Sequence, residues 1–131
     1  MTKVLLVEDD VALREIYSAR FAAENFEVSS AGDGEEALSK AIAEKPDIII
    51  LDIMMPKISG FDILDILRAT PETKNTKIII MSALSQASDI EKGARLGADA
   101  YLVKSQATLS DVIDKTNEIL ARPRKEKPSA S

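Results

Sequence analysis

The 131-residue chain contains no cysteine and no histidine. The first absence excludes disulfides, thiolate chemistry and cysteine-ligated zinc. The second removes the usual general base, the usual transition-metal ligand and any phosphohistidine donor of the chain's own. Long hydrophobic runs are missing too, and the N-terminus enters a strand pattern with no cleavable leader, so a soluble, cytoplasmic protein without a membrane partner is the simplest reading. Positive charge is in deficit: the net charge is -5. That argues against direct binding to nucleic acid or to an anionic membrane, which needs a basic surface. No glycine-rich phosphate loop follows the first apolar run, which disfavours a flavin or nucleotide binder.

What is present fits one domain of ordinary size, with 45% apolar and 30% charged residues, enough to support a core. Apolar runs at 4–7, 48–51 and 78–81 are rich in Val, Ile and Leu, as expected for strands buried on both faces. Shorter strand candidates are Phe26 to Ser29 and Ala100 to Val103. Helix patterns lie between them. Leu13, Ile16, Tyr17 and Phe21 share one face of the first, which Asn25 is placed to stop in a left-handed conformation. Ala37, Leu38, Ala41 and Ile42 line the second, and Phe61, Ile63, Leu64 and Leu67 mark the third. The fourth, about Gln86 to Leu96, is the weakest pattern and contains Gly93. The fifth carries Leu109, Val112, Ile113, Thr116 and Leu120, opened by a capping-box variant at Thr108 and Asp111. Five βα units predict an α/β fold with a single doubly wound parallel sheet covered by helices on both faces. The expected domain is 1–121; residues 122–131, rich in proline, charge and small side chains, read as a disordered tail or the start of a linker.

In such a sheet ligands bind outside the carboxyl ends of the strands, near the switch in strand order. The polar residues gather at those ends. The first run ends in Glu8-Asp9-Asp10, the third in Asp52, the fourth in Ser82, and the last, Tyr101-Leu102-Val103, in Lys104. Clustered acids repel one another unless a cation or proton intervenes. Magnesium takes oxygen ligands, keeps several waters and uses one or two carboxylates. Asp9 and Asp52 suffice for that, with a backbone carbonyl just beyond Asp52 and Glu8 acting through water. Asp10 reads as a helix cap instead. Taken singly, Lys104 reads as a surface lysine, Ser82 as a turn residue and Tyr101 as a half-buried strand residue. Together they form a site for a hard metal and a phosphoryl group.

Val4-Leu5-Leu6-Val7-Glu8-Asp9-Asp10, Leu51-Asp52-Ile53-Met54-Met55-Pro56 with Gly60, Met81-Ser82-Ala83, and Gly97-Ala98-Asp99-Ala100-Tyr101-Leu102-Val103-Lys104 resemble the receiver domain of bacterial two-component response regulators over about residues 2–121. The resemblance implies the flavodoxin-like strand order 2-1-3-4-5 with five flanking helices. It makes Asp52 the phosphoacceptor, Glu8 and Asp9 its acidic partners, and Met54 the source of the backbone carbonyl in a Mg2+ site. Ser82 becomes the switch hydroxyl, Tyr101 the switch aromatic and Lys104 the phosphate-contacting lysine. Ser105 departs from the family, which commonly carries a proline after a cis bond there; a non-proline residue strongly favours trans, so the Lys104 loop is expected to be looser or differently aimed.

The implied function is that of a phosphorelay signalling domain. A sensor histidine kinase or histidine phosphotransfer protein presents the phosphoryl group, Asp52 takes it with Mg2+, and the surface of the fourth helix, fifth strand and fifth helix changes. That surface also admits a phosphorylation-dependent homodimer, while the downstream effector or output domain is unknown. Such a chain is not an enzyme on other substrates; it catalyses only its own phosphorylation and dephosphorylation. Met54 and Leu84, apolar at positions bordering the attacking water, predict slow hydrolysis. Two alternatives stand beside this. One is a receiver-like interaction module that works without phosphorylation. The other is a Mg-dependent aspartyl-phosphate phosphatase of the haloacid-dehalogenase type, whose Asp-x-Asp motif is lacking in Asp52-Ile53-Met54.

Overall fold

A computed structural model describes residues 1–123. Strands β1 (Lys3–Val7), β2 (Glu27–Ala31), β3 (Ile48–Asp52), β4 (Lys77–Ser82) and β5 (Ala100–Val103) alternate with helices α1 (Val11–Ala23), α2 (Gly34–Glu44), α3 (Gly60–Ala69), α4 (Ala87–Arg95) and α5 (Leu109–Ala121). The strands form one parallel sheet in the order β2-β1-β3-β4-β5. The predicted α/β fold and the 2-1-3-4-5 order therefore both hold. The expected disordered tail or linker lies mostly outside the described residues, since only Arg122 and Pro123 of it are described.

Two-residue periodicity divides the central strands between two cores. Leu5, Val7, Ile49, Leu51, Ile78 and Ile80 point to the side covered by α2 and α3. Val4, Leu6, Ile48, Ile50, Ile79 and Met81 point to the side covered by α1 and α5. The apolar runs are continuous because both faces are covered. Phe26 lies just before β2 rather than in it, and its ring meets Phe21 edge-on with centroids 5.2 Å apart. On α1, Tyr17 and Phe21 are buried, but Ile16 is 50% exposed. Its position is one helical step, about 100°, away from the line through Leu13, Tyr17 and Phe21, so it turns outward. Ile42 of α2 is likewise partly exposed, at 39%.

Caps fix the helix starts. Asp10, Asp33, Ser59 and Thr108 each accept a backbone N–H from the first turn with the side chain, and Thr108 and Asp111 form a reciprocal capping box. Asn25 has φ 70°, the left-handed stop expected after α1. Among the described residues no helix is long and apolar enough to cross a membrane.

Candidate functional site

After β1 the chain crosses to β2 on one side and then to β3 on the other, so the switch point lies between β1 and β3. The register decides what meets there. Val7 pairs with Leu51, so the next residues of the two strands, Glu8 and Asp52, emerge side by side. Asp52 pairs with Met81 and Ser82 with Val103, which sets Ser82 and then Lys104 along the same rim. Glu8 is 1% exposed and Asp52 3%, while Asp9 is exposed. Glu8, Asp9 and Asp52 each offer a carboxylate oxygen within 4.8 Å of the others.

One cation reaches two of these acids. Lys104 Nζ donates to Glu8 Oε1 at 2.8 Å and to Asp52 Oδ2 at 3.2 Å. Burial pulls the lysine pKa down, but the Glu8 hydrogen bond and the charges of Asp52 and Glu8 outweigh it, and the net shift is upward. The ammonium therefore stays charged. The remaining oxygens are held by backbone: Asp10 N–H donates to Glu8 Oε2 at 3.1 Å and Met54 N–H to Asp52 Oδ1 at 3.1 Å. The Lys104–Ser105 peptide is trans, since the described residues contain no cis bond. The expected looseness of this loop is nevertheless not seen. Lys104 N–H donates to the Ser82 carbonyl at 2.8 Å and Gln106 N–H to the Val103 carbonyl at 2.9 Å, so the turn is tied at both ends and aims the lysine at the acids.

Ser82 is fully buried, and its Oγ accepts the Leu84 N–H at 3.1 Å. Tyr101 donates its hydroxyl to the Leu84 carbonyl at 2.8 Å, which turns the ring in toward Gly93. Burial raises the Tyr101 pKa, a Ser82 hydrogen bond opposes that, and the charges of Asp89 and Asp52 add to the rise. The phenol thus remains a donor. Met54 is 54% exposed, beside Asp52. Among the described residues no donor bonds its backbone carbonyl.

A family model described as the response regulator receiver domain matches residues 4–116. The chain belongs to this receiver domain family. It is 41% identical to a probable transcriptional regulator ycf27 of Porphyridium aerugineum over 102 residues, covering 78% of this chain and 41% of that protein. It is 36% identical to the response regulator ArlR of Staphylococcus aureus over 127 residues, covering 96% of this chain and 56% of that protein. The chain thus spans about half the length of the curated relatives it matches. Among solved structures it is similar to the response regulator TrrA of Thermotoga maritima in complex with Mg2+-BeF, at 33% identity and TM-score 0.80, covering 91% of this chain and 99% of that one. A putative response regulator from Chloroflexus aurantiacus aligns with TM-score 0.86 at 30% identity, covering 92% of this chain and 98% of that one.

The receiver fold thus brings Glu8, Asp9, Asp52 and Lys104 into one cluster at the switch point, with Met54 bonded to Asp52. Ser82 and Tyr101 both bond the Leu84 backbone. Sequence reading missed Arg14. Its Nη1 donates to the Glu8 carbonyl at 2.8 Å, yet an arginine in the first turns of an amphipathic helix carries no periodic signal that separates it from a solvated charge. Tyr17 was read only as core; it also lies close enough to Lys104 and Glu8 to feel their charges.

Proposed function

We propose that this receiver domain accepts a phosphoryl group on Asp52 from a phosphohistidine of a sensor histidine kinase or a histidine phosphotransfer protein. The observation that carries the reading is the buried Asp52 carboxylate, which shares one lysine with Glu8 and faces Asp9 within 4.8 Å. An all-oxygen set with two buried acids and one exposed suits magnesium, which keeps several waters on its open side. Asp9, Asp52 and the free Met54 carbonyl are the candidate ligands, with Glu8 acting through water. When bound there, magnesium supplies positive charge against the phosphoryl oxygens. The TrrA complex with Mg2+-BeF supports this by family likeness.

The chemistry is a displacement at phosphorus. An Asp52 carboxylate oxygen forms the new P–O bond as the P–N bond to the donor imidazole breaks, and that imidazole leaves with the bonding pair. Lys104, already charged and aimed at the carboxylate, offsets the added negative charge by a charge-assisted hydrogen bond. Ser82 then gives up the Leu84 N–H and donates its hydroxyl to a phosphoryl oxygen. Because Tyr101 holds the Leu84 carbonyl, that exchange biases the segment leading into α4, and α4, β5 and α5 are the surface that reads it out. The same surface would carry a phosphorylation-dependent homodimer. The folded receiver unit takes in about residues 1–121, the protein works in the cytoplasm, and it acts on no substrate but its own Asp52.

Incubation with Mg2+ and acetyl phosphate, followed by intact mass measurement, tests the proposal. A gain of one phosphoryl group is expected in the wild type and none in Asp52→Asn. A wild-type mass that does not change with magnesium present overturns it. Met54 and Leu84 offer no side-chain hydrogen bond to an attacking water, so the acyl phosphate should last minutes or longer; loss within seconds contradicts that part.

A further inference from the structure

Glu8 and Asp10 are each tied down, but Asp9 between them makes no side-chain hydrogen bond among the described residues. What aims Asp9 is its backbone, and the peptide that joins Glu8 to Asp9 is held from outside by one side chain. Arg14, on the first turns of α1, donates Nη1 to the Glu8 carbonyl at 2.8 Å. The guanidinium reaches that oxygen by passing over Gly32, in the turn between β2 and α2. A β-carbon on Gly32 would stand 2.7 Å from Arg14 Nη1 and 3.5 Å from Cζ, with no atom other than those of Arg14 among its nearest neighbours. The space that a side chain at position 32 would fill is the seat of this arginine.

We infer that Arg14, seated on Gly32, is a positioning residue that fixes the Glu8–Asp9 peptide and so holds the Asp9 carboxylate toward Asp52 for the cation. The inference rests on the magnesium reading of the site. Two effects of Arg14 oppose each other. Its positive charge weakens binding of a cation, whereas its hydrogen bond preorganises a ligand. Outer partners that orient metal ligands contribute about 10–100-fold to affinity, whereas a solvated charge several ångströms away changes it by only a few-fold in water-like dielectric. Positioning should win, and Gly32 separates the two effects cleanly. Gly32→Ala keeps the arginine and its charge. It displaces only the end of a flexible side chain, so the fold should survive; Gly32 is also not among the positive-φ glycines.

The test is calorimetric titration of MgCl2 at fixed ionic strength into the full chain, with thermal unfolding in EDTA alongside. Gly32→Ala and Arg14→Gln should each weaken magnesium binding about tenfold while leaving the unfolding temperature in EDTA nearly unchanged. Arg14→Lys, which keeps one donor and the charge, should recover part of the loss. The double variant Arg14→Gln/Gly32→Ala should bind no more weakly than Arg14→Gln alone, because the added methyl then meets nothing. Losses that add, or a Gly32→Ala chain that binds as the wild type does, overturn the inference while the site reading stands. A wild-type chain that binds no magnesium overturns both.

Discussion

Two of the three carboxylates at the ends of β1 and β3 share a single ammonium, so the cluster carries excess negative charge when no cation is bound. Asp9 is the member with nothing to offset it: it is exposed and forms no ion pair among the described residues. Two unit charges about 5 Å apart repel by about 1 kcal/mol in a water-like dielectric and by more where solvent is excluded. Asp9→Asn should therefore stabilise the metal-free domain by about 1 kcal/mol, a rise of roughly 3–5 °C for a chain of this size, while shrinking the stabilisation that Mg2+ confers. Thermal scans in EDTA and in MgCl2 check both halves, and a lower unfolding temperature in EDTA would contradict the argument. Lys104 gives a prediction of opposite origin. Its pKa is raised on folding, so its stabilising contribution is complete below the ordinary lysine value of about 10.4 and is lost as pH rises through the higher folded value. The stability gap between wild type and Lys104→Met should hold steady from pH 8 to 9 and narrow above about pH 10.4. The residues of this cluster were legible because each closes an apolar run, and strand ends in a parallel sheet converge by topology. Arg14 was not, because its partner is a carbonyl and its seat is a missing β-carbon. Neither leaves a mark in one dimension.

Among the elements α4 is the least anchored. It spans nine residues, Gln86 caps it without a side-chain hydrogen bond, and Gly93 is its one buried residue. Its two ends are held unequally. At the C-terminal end Arg68 donates to the Gly97 carbonyl at 3.0 and 2.8 Å and to Asp99 Oδ2 at 3.2 Å. Before the N-terminal end the ties are neutral bonds at Leu84, whose N–H donates to Ser82 Oγ and whose carbonyl accepts the Tyr101 hydroxyl. Helices with few buried contacts open locally at low cost, so α4 amides should exchange faster than those of α3 or α5. Supplying the missing cap with Gln86→Asp adds about 1 kcal/mol, which should slow that exchange about fivefold; equal exchange in the two proteins would mean that the cap does not limit opening. The sequence showed α4 as a weak pattern for a reason only half right. Gly93 lowers helix propensity, but it is also a contact: a β-carbon there would stand 2.7 Å from Ile80 Cδ1 and 3.2 Å from Tyr101 Cδ2. Close approach to the sheet depends on three-dimensional packing, which periodicity does not encode. The central strands were the opposite case. Their uninterrupted Val, Ile and Leu runs report burial on both faces directly, whereas Ile16 followed the apolar pattern of α1 and still faces solvent.

For the molecule as a whole, the question is where the cooperative unit stops. Lys77, at the start of β4, donates Nζ to the Leu120 carbonyl at 3.0 Å and also to the Arg122 carbonyl. These satisfy acceptors that the end of α5 otherwise leaves without partners. Ile119, 1% exposed, belongs to the core beneath α1 and α5. The structural tie therefore reaches one residue beyond the boundary at 121 that composition marked, because a carbonyl is usable whatever side chain it carries. A chain stopped after Pro123 should unfold at the same urea concentration as the full chain. One stopped after Glu118 loses Ile119 from the core and should lose about 2–5 kcal/mol, the range for removing a large buried aliphatic group. Lys77→Met in the full chain should cost about 1 kcal/mol through its carbonyl bonds. Urea denaturation of the four proteins reads all three values. A marked loss on stopping after Pro123 would show that residues 124–131 belong to the folding unit, and the boundary drawn from Lys77 would be wrong.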